Sequence, residues 1–166
     1  TVESAENLKT IQTSGTAEFA GEAEKVGLHF SVQTDSVNAA ESQQQNAAKV
    51  QAMRAALEAL GIPREDIETT SYSLQERKEW NPDTRRYDFL GYRTTHSLKV
   101  ELENLGNAGK AIDTAVGAGA NSVDSVVFGL KDETVERLKK QALKSAAEKA
   151  REKADAVAAG LNVTIE

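Results

Sequence analysis

Residues 26–63, VGLHFSVQTDSVNAAESQQQNAAKVQAMRAALEALGIP, change their hydrophobic period partway along, and that change decides the fold. Val26, Leu28, Phe30 and Val32 alternate with Gly27, His29, Ser31 and Gln33, the period-two pattern of a half-buried strand. From Asn38 the period lengthens. Asn38 with Glu41 forms a capping-box pattern, and Val50, Met53, Leu57 and Leu60 recur at helical spacing. Gly61 supplies a left-handed stop and Pro63 prevents continuation, so a helix from about Asn38 to Leu60 follows the strand directly.

Working outward, Ile11 to Gly21 is rich in Thr, Ser, Ala and Gly and reads as the first arm of a hairpin spanning Thr10 to Ser36. Downstream, residues 67–79 alternate again, Trp80-Asn-Pro-Asp-Thr84 reads as a turn, and 85–102 returns as a long strand. In that return arm Leu98, Val100 and Leu102 share a face with His96, which predicts that His96 touches the core side. Asn104 can cap a short helix through about Val116, with Ile112 and Val116 on its apolar side; Gly117 and Gly119 break it before a strand at 122–130. Asp132 and Glu133 open a last helix whose narrow stripe is Val135, Leu138, Ala142, Ala146, Ala150 and Val157, and Gly160 ends it. A final strand starts at 162–165. The order ββα-ββαβ-α(β), without alternating β and α units, predicts an α+β fold, a two-layer α/β sandwich.

The chain has 166 residues, enough for one domain with a real core. Its formal charge of −6 argues against nucleic-acid binding, which needs a basic face to displace counterions. Apolar runs are far shorter than the roughly 20 residues that cross a bilayer, so no membrane span is expected. With no cysteine, disulfides, thiol catalysis and cysteine-ligated metals are excluded. The sequence opens TVESAENLKT, without Met or an apolar signal core, and reads as either a mature or a trimmed chain, which leaves a removed export signal open.

The stretch from Glu76 to Tyr92 holds Trp80, Tyr87, Phe89 and Tyr92, half of the eight aromatic residues, among mixed charges that include Arg85 and Arg86. Aromatic and Arg enrichment marks contact surfaces. These six residues are the candidate interaction surface; the competing reading is a twisted hairpin whose rings cover its own core. Glu76, Glu79, Asp83 and Asp88 fit neither an acid/base pair nor a calcium loop. His29 and His96 are the only histidines, a surface residue and a satisfied core-side one by default, because metal and acid/base sites need converging partners. No nucleophile elbow, Walker sequence or S-x-x-K set is present. No catalytic residue, cofactor or metal ligand is assigned.

Ala59-Leu-Gly-Ile-Pro63, then Glu65-Asp-Ile67 with Thr69, Gly91-Tyr-Arg93, Ala115-Val-Gly-Ala-Gly-Ala-Asn121 and Gly129-Leu130, followed by an Ala/Lys-rich helix, together resemble the SIMPL-domain family. The likeness runs in order from about Ser14 to Leu161. That family includes oxidative-stress defence proteins and periplasmic immunogenic proteins. The resemblance implies two interleaved lobes within one domain over 1–166, lobe one about 10–67 plus 131–166 and an inserted lobe two about 68–130. It implies export, to the periplasm or cell surface, and self-assembly into a homo-oligomer. It carries over no catalytic residue, and relatives usually continue past Glu166 with another strand or two.

The resulting expectation is a non-enzymatic, exported, self-assembling envelope protein linked to stress defence. The alternatives are a small-molecule or peptide-binding module with a protein or peptide partner, and a metal-dependent hydrolase built around His96.

Overall fold

A computed structural model describes residues 10–165. Four strands, β1 (Lys25–Ser36), β2 (Ile67–Asn81), β3 (Arg86–Leu102) and β4 (Ser122–Gly129), form one antiparallel sheet in the order β2-β3-β1-β4. Two helices, α1 (Ala39–Ala59) and α2 (Ala108–Ala118), pack on each other and on that sheet. The α+β sandwich expected from the sequence is present. A third helix, α3 (Asp132–Gly160), follows β4.

The core is the period-two face of β1 closed by the period-3.6 face of α1. Val26, Leu28, Phe30 and Val32 meet Leu98 and Val100 of β3 and Met53 and Leu57 of α1, all fully buried. Phe30 pairs across with Leu98 and Leu28 with Val100, so two strands present one continuous apolar surface to the helix. On α2 the buried face is Ala111 and Ala115, with Ile112 partly buried; Val116, expected inside, is exposed. Alanine lets α2 approach closely, and Val116 falls on the outer side of that contact.

Both ends of α1 follow the sequence signals, with one change. Asn38 Oδ1 accepts from Ala40 N at 2.9 Å and Glu41 N at 3.4 Å. Glu41 does not reach back to Asn38. Its carboxylate takes the Ser36 hydroxyl at 2.7 Å, and Ser36 Oγ accepts from Asn38 N, so the box closes through a serine. At the other end Gly61, at φ +86°, lets Ile62 N bond to Leu57 O and Gly61 N to Glu58 O, a Schellman closure.

The helix stripe extends further toward its N-terminus than apolar residues alone reveal. Ser42 and Asn46 are fully buried. Ser42 Oγ donates to Thr34 O at 2.8 Å and accepts from Thr94 N at 3.1 Å, and Thr34 Oγ1 donates to Ser42 O at 2.7 Å. Asn46 Nδ2 donates to Val32 O at 2.8 Å and Thr94 O at 3.3 Å, while its Oδ1 accepts no hydrogen bond among the described residues. This polar knot ties α1 to β1 and β3 at one register, because sliding the helix would strand several buried polar groups.

Two compact units divide the chain, Ala23–Gly129 and the terminal residues, described over 10–22 and 130–165. The boundary differs from the one expected near residue 67, because β1 and α1 share one sheet and one core with β2, β3 and β4. In the terminal unit residues 11–21 are not a strand of a hairpin, and residues 162–165 do not form the expected final strand. The first segment is nevertheless extended enough for alternate residues to be half-buried: Ile11, Thr13, Gly15 and Ala17. Its contacts run to α3 instead. Thr13 Oγ1 donates to Ala150 O at 2.8 Å and Lys153 Nζ to Ser14 O at 3.0 Å. At Gly15 any Cβ would overlap Ala146 O, so the small residues read as an edge signal serve close approach to a helix. The α3 stripe runs through Val135, Leu138, Ala142, Ala146 and Ala150, but ends on buried Ala158 while Val157 is exposed.

Candidate functional site: an exposed aromatic hairpin

β1 meets β3 last at Ser36 opposite Tyr92, and beyond that pair the β2–β3 hairpin continues alone to its tip. Register explains what the overhang displays. Leu74 lies opposite Thr94, Glu76 opposite Tyr92, Lys78 opposite Phe89 and Trp80 opposite Tyr87. Thr94 is a core residue, so the aromatic row continues the core face past the end of the core. There it has neither a neighbouring strand nor α1 above it. Trp80 is 50% exposed, Tyr87 67% and Phe89 51%, which places them on a surface rather than in a private core.

The rings are organised among themselves. Trp80 and Tyr87 meet edge-to-face at 5.2 Å, and Phe89 and half-buried Tyr92 at 5.3 Å. Such ring pairs contribute about 0.5–1.5 kcal/mol each; Trp80–Tyr87 links β2 to β3, stiffening a ribbon that two strands alone would hold weakly, while Phe89–Tyr92 lies along β3. The expected turn at 80–84 is shifted: Trp80 and Asn81 belong to β2, and the connection is 82–85, with Arg85 at φ +52°. Asn81 Oδ1 accepts from Asp83 N at 3.0 Å and Thr84 N at 3.3 Å, and its Nδ2 donates to Asp88 at 2.8 Å. Arg85 and Arg86 are exposed at this tip.

A bulge keeps the face aligned. Arg77 pairs with Gly91 and Lys78 with Phe89, leaving Leu90 as the extra residue. Gly91 sits at φ +112°, and a Cβ there would lie 2.5 Å from Ser36 O. The opposite face at this level is ionic: Arg93 grips Asp35 through Nε at 2.7 Å and Nη2 at 2.8 Å, and Arg77 Nη1 adds a third contact at 2.7 Å. Arg93 above all holds the Asp35 carboxyl below its usual range. One side of the hairpin base is therefore ion-paired, with two guanidinium groups on one carboxylate, and the other is exposed aromatic surface.

The remaining candidates do not converge. His29 pairs across with Lys99 and Ser125, whereas His96 pairs with Val32 and Tyr72 on the core face, so the two histidines point to opposite sides. Glu76 forms an ion pair with Lys78, and Asp88 is taken up by Asn81. Among the described residues no three His, Asp or Glu side chains are grouped so as to hold a metal ion, and no helix is long and apolar enough to cross a membrane.

His96 is half-buried on the core face, as its position predicted. Its Nε2 lies 2.8 Å from Thr69 Oγ1, which also accepts from Arg54 Nη2 at 3.1 Å, and its ring meets Tyr72 edge-on. Thr69 Oγ1 accepts from Arg54 and shares a hydrogen bond with Nε2 whose direction follows the imidazole tautomer. Burial first, and the Arg54 charge second, push the His96 pKa below its ordinary value. Both folded and unfolded chains are neutral here above about pH 6.5; on acidification the unfolded chain takes the proton first. Stability should therefore fall as pH drops from about 6.5 through the lower folded value. Urea midpoints between pH 7.5 and 5 check this, and His96→Gln should lose that part of the decline.

The SIMPL family model, described as a protein of unknown function (DUF541), matches residues 11–166. The "Uncharacterized protein YggE" of Edwardsiella ictaluri is 28% identical over 155 residues, covering 93% of this chain and 64% of that protein. The protein of the same description from Escherichia coli K12 is 27% identical over 147 residues, 87% of this chain and 59% of its own length. The chain spans less than two thirds of the length of these relatives. With matching residues along nearly all of its length, the chain belongs to the SIMPL family.

Proposed function

We propose that this is a non-enzymatic, exported protein that works by assembling with itself at the cell envelope, in a role connected with stress defence. The observation that carries the assembly reading is the aromatic face of the β2–β3 overhang, where Trp80, Tyr87 and Phe89 are half or more exposed in ordered edge-to-face pairs. Rigid rings already held in position lose little entropy on docking, which is the property of residues that dominate interfaces. Export and the link to stress defence rest on the resemblance to exported SIMPL-domain proteins.

Light scattering over a dilution series tests the assembly. The expected result is a mass above that of one chain, falling on dilution. Trp80→Ala combined with Tyr87→Ala should weaken association by about 30-fold or more, as loss of a hot spot worth about 2 kcal/mol does. Both side chains are exposed, so the melting temperature of the separated chain should change little. A strict monomer at every concentration would overturn this function.

A further inference from the structure

The sheet has two edges, and they are built differently. β2, at one edge, carries Glu68, Glu76, Arg77, Lys78 and Glu79 among its 15 residues, the charged protection natural edge strands use against pairing. β4, at the other, has eight residues, no Lys, Arg or Pro, and one charge, Asp124. Val126 is 39% exposed, Val127 54% and Phe128 60%, so apolar side chains stand open on both faces of this edge.

The single charge is taken up by neighbouring serines. β4 is bulged between the pairs His29–Ser125 and Phe30–Val123, with Asp124 as the extra residue. Its carboxylate takes Ser122 Oγ at 2.5 Å and Ser31 Oγ of β1 at 2.5 Å, and these two hydroxyls hold its pKa down. Past the bulge, 125–129 pairs in unbroken register with β1 and contains no charged residue. Among the described residues β4 pairs with β1 alone, so its outer row of backbone donors and acceptors faces outward.

We infer that β4 pairs antiparallel with β4 of a second copy, joining two sheets across a two-fold axis at Val127. This rests on the self-assembly reading above and names one of its contacts. A second copy fits because the strand is complementary to itself. Centred on Val127, Val126 meets Phe128 twice and Ser125 meets Gly129 twice, with no like charges opposed; β-branched and aromatic cross-strand pairs of this kind are favourable. Asp124 falls outside the paired segment, already held by its two serines.

The test uses the absence of native cysteine. On a two-fold axis identical residues face each other within disulfide reach, so Val127→Cys should cross-link to a covalent dimer within minutes of mild oxidation. Val116→Cys, exposed on α2, should cross-link at least tenfold more slowly. Val127→Lys, which sets two ammonium groups against each other, should weaken association by about tenfold or more. Equal cross-linking rates, or unchanged association of Val127→Lys, overturn the β4 contact while leaving self-assembly standing. A wild-type chain that is monomeric throughout overturns both. Edge amides protected from hydrogen exchange only when a different protein is added would assign β4 to a foreign strand and overturn self-pairing.

Discussion

Asn46→Asp should be strongly destabilising at pH 7 and much less so at pH 3, where the protonated carboxyl can still donate to one of the two carbonyls. The change is isosteric, so no cavity or overlap accompanies it. Asn46 is fully buried and donates to Val32 O and Thr94 O; a carboxylate there would face those two carbonyl oxygens. Carboxyls so buried have pKa values raised by about 3–5 units, which costs about 4 kcal/mol at pH 7, the work of protonating the group from its unfolded pKa of about 3.9. Since whole domains are stable by about 5–15 kcal/mol, that is a large part of the margin. The folded pKa lies above the unfolded value of about 3.9, so the deficit is absent below that pH and grows until the folded pKa is passed. Urea midpoints of variant and wild type, compared at pH 3, 5 and 7, measure it. A variant as stable as wild type at pH 7 would show that the buried knot is open to solvent.

Gly91→Val should be the second severe change, with a different cause. At φ +112° a side chain is strained, at about 1–3 kcal/mol, and its Cβ would lie 2.5 Å from Ser36 O and 3.0 Å from the same carbonyl carbon. Both contacts are backbone, so relief requires β3 to move away from the end of β1, and overpacking adds about 1–3 kcal/mol. We expect a total loss of about 2–6 kcal/mol in thermal or urea unfolding. Ser36 is also where the hairpin leaves the sheet, so the aromatic overhang should be re-aimed and self-association lost in the same variant. Unchanged association alongside reduced stability would separate the bulge from the interface.

These two residues mark where sequence reading reaches its limit. Asn46 stands four residues before Val50, in line with the apolar stripe, yet a polar side chain at a core position looks like the edge of that stripe until its partners are known. Those partners, Val32 and Thr94, lie 14 and 48 residues away. Gly91 was visible within the family-like Gly91-Tyr-Arg93, but glycine alone does not distinguish a bulge from a flexible turn.

The aromatic hairpin was legible because its ingredients are local: alternation, a Pro-Asp turn, and rings spaced two residues apart. Whether those rings cover a private core or face solvent was not, because the answer depends on where β1 and α1 stop. By itself, then, the sequence determined the helices and the strands from residue 25 to residue 129, the α1 caps, the core face of β1 and the family, since period, capping and composition act over a few residues. Only the tertiary structure decided that residues 11–21 lie along α3 instead of joining a sheet, that β4 is an apolar edge with its one charge held by two serines, and that the core face runs on uncovered past Tyr92. Each of these depends on which segments meet, and contacts between segments distant in the chain leave no period to read.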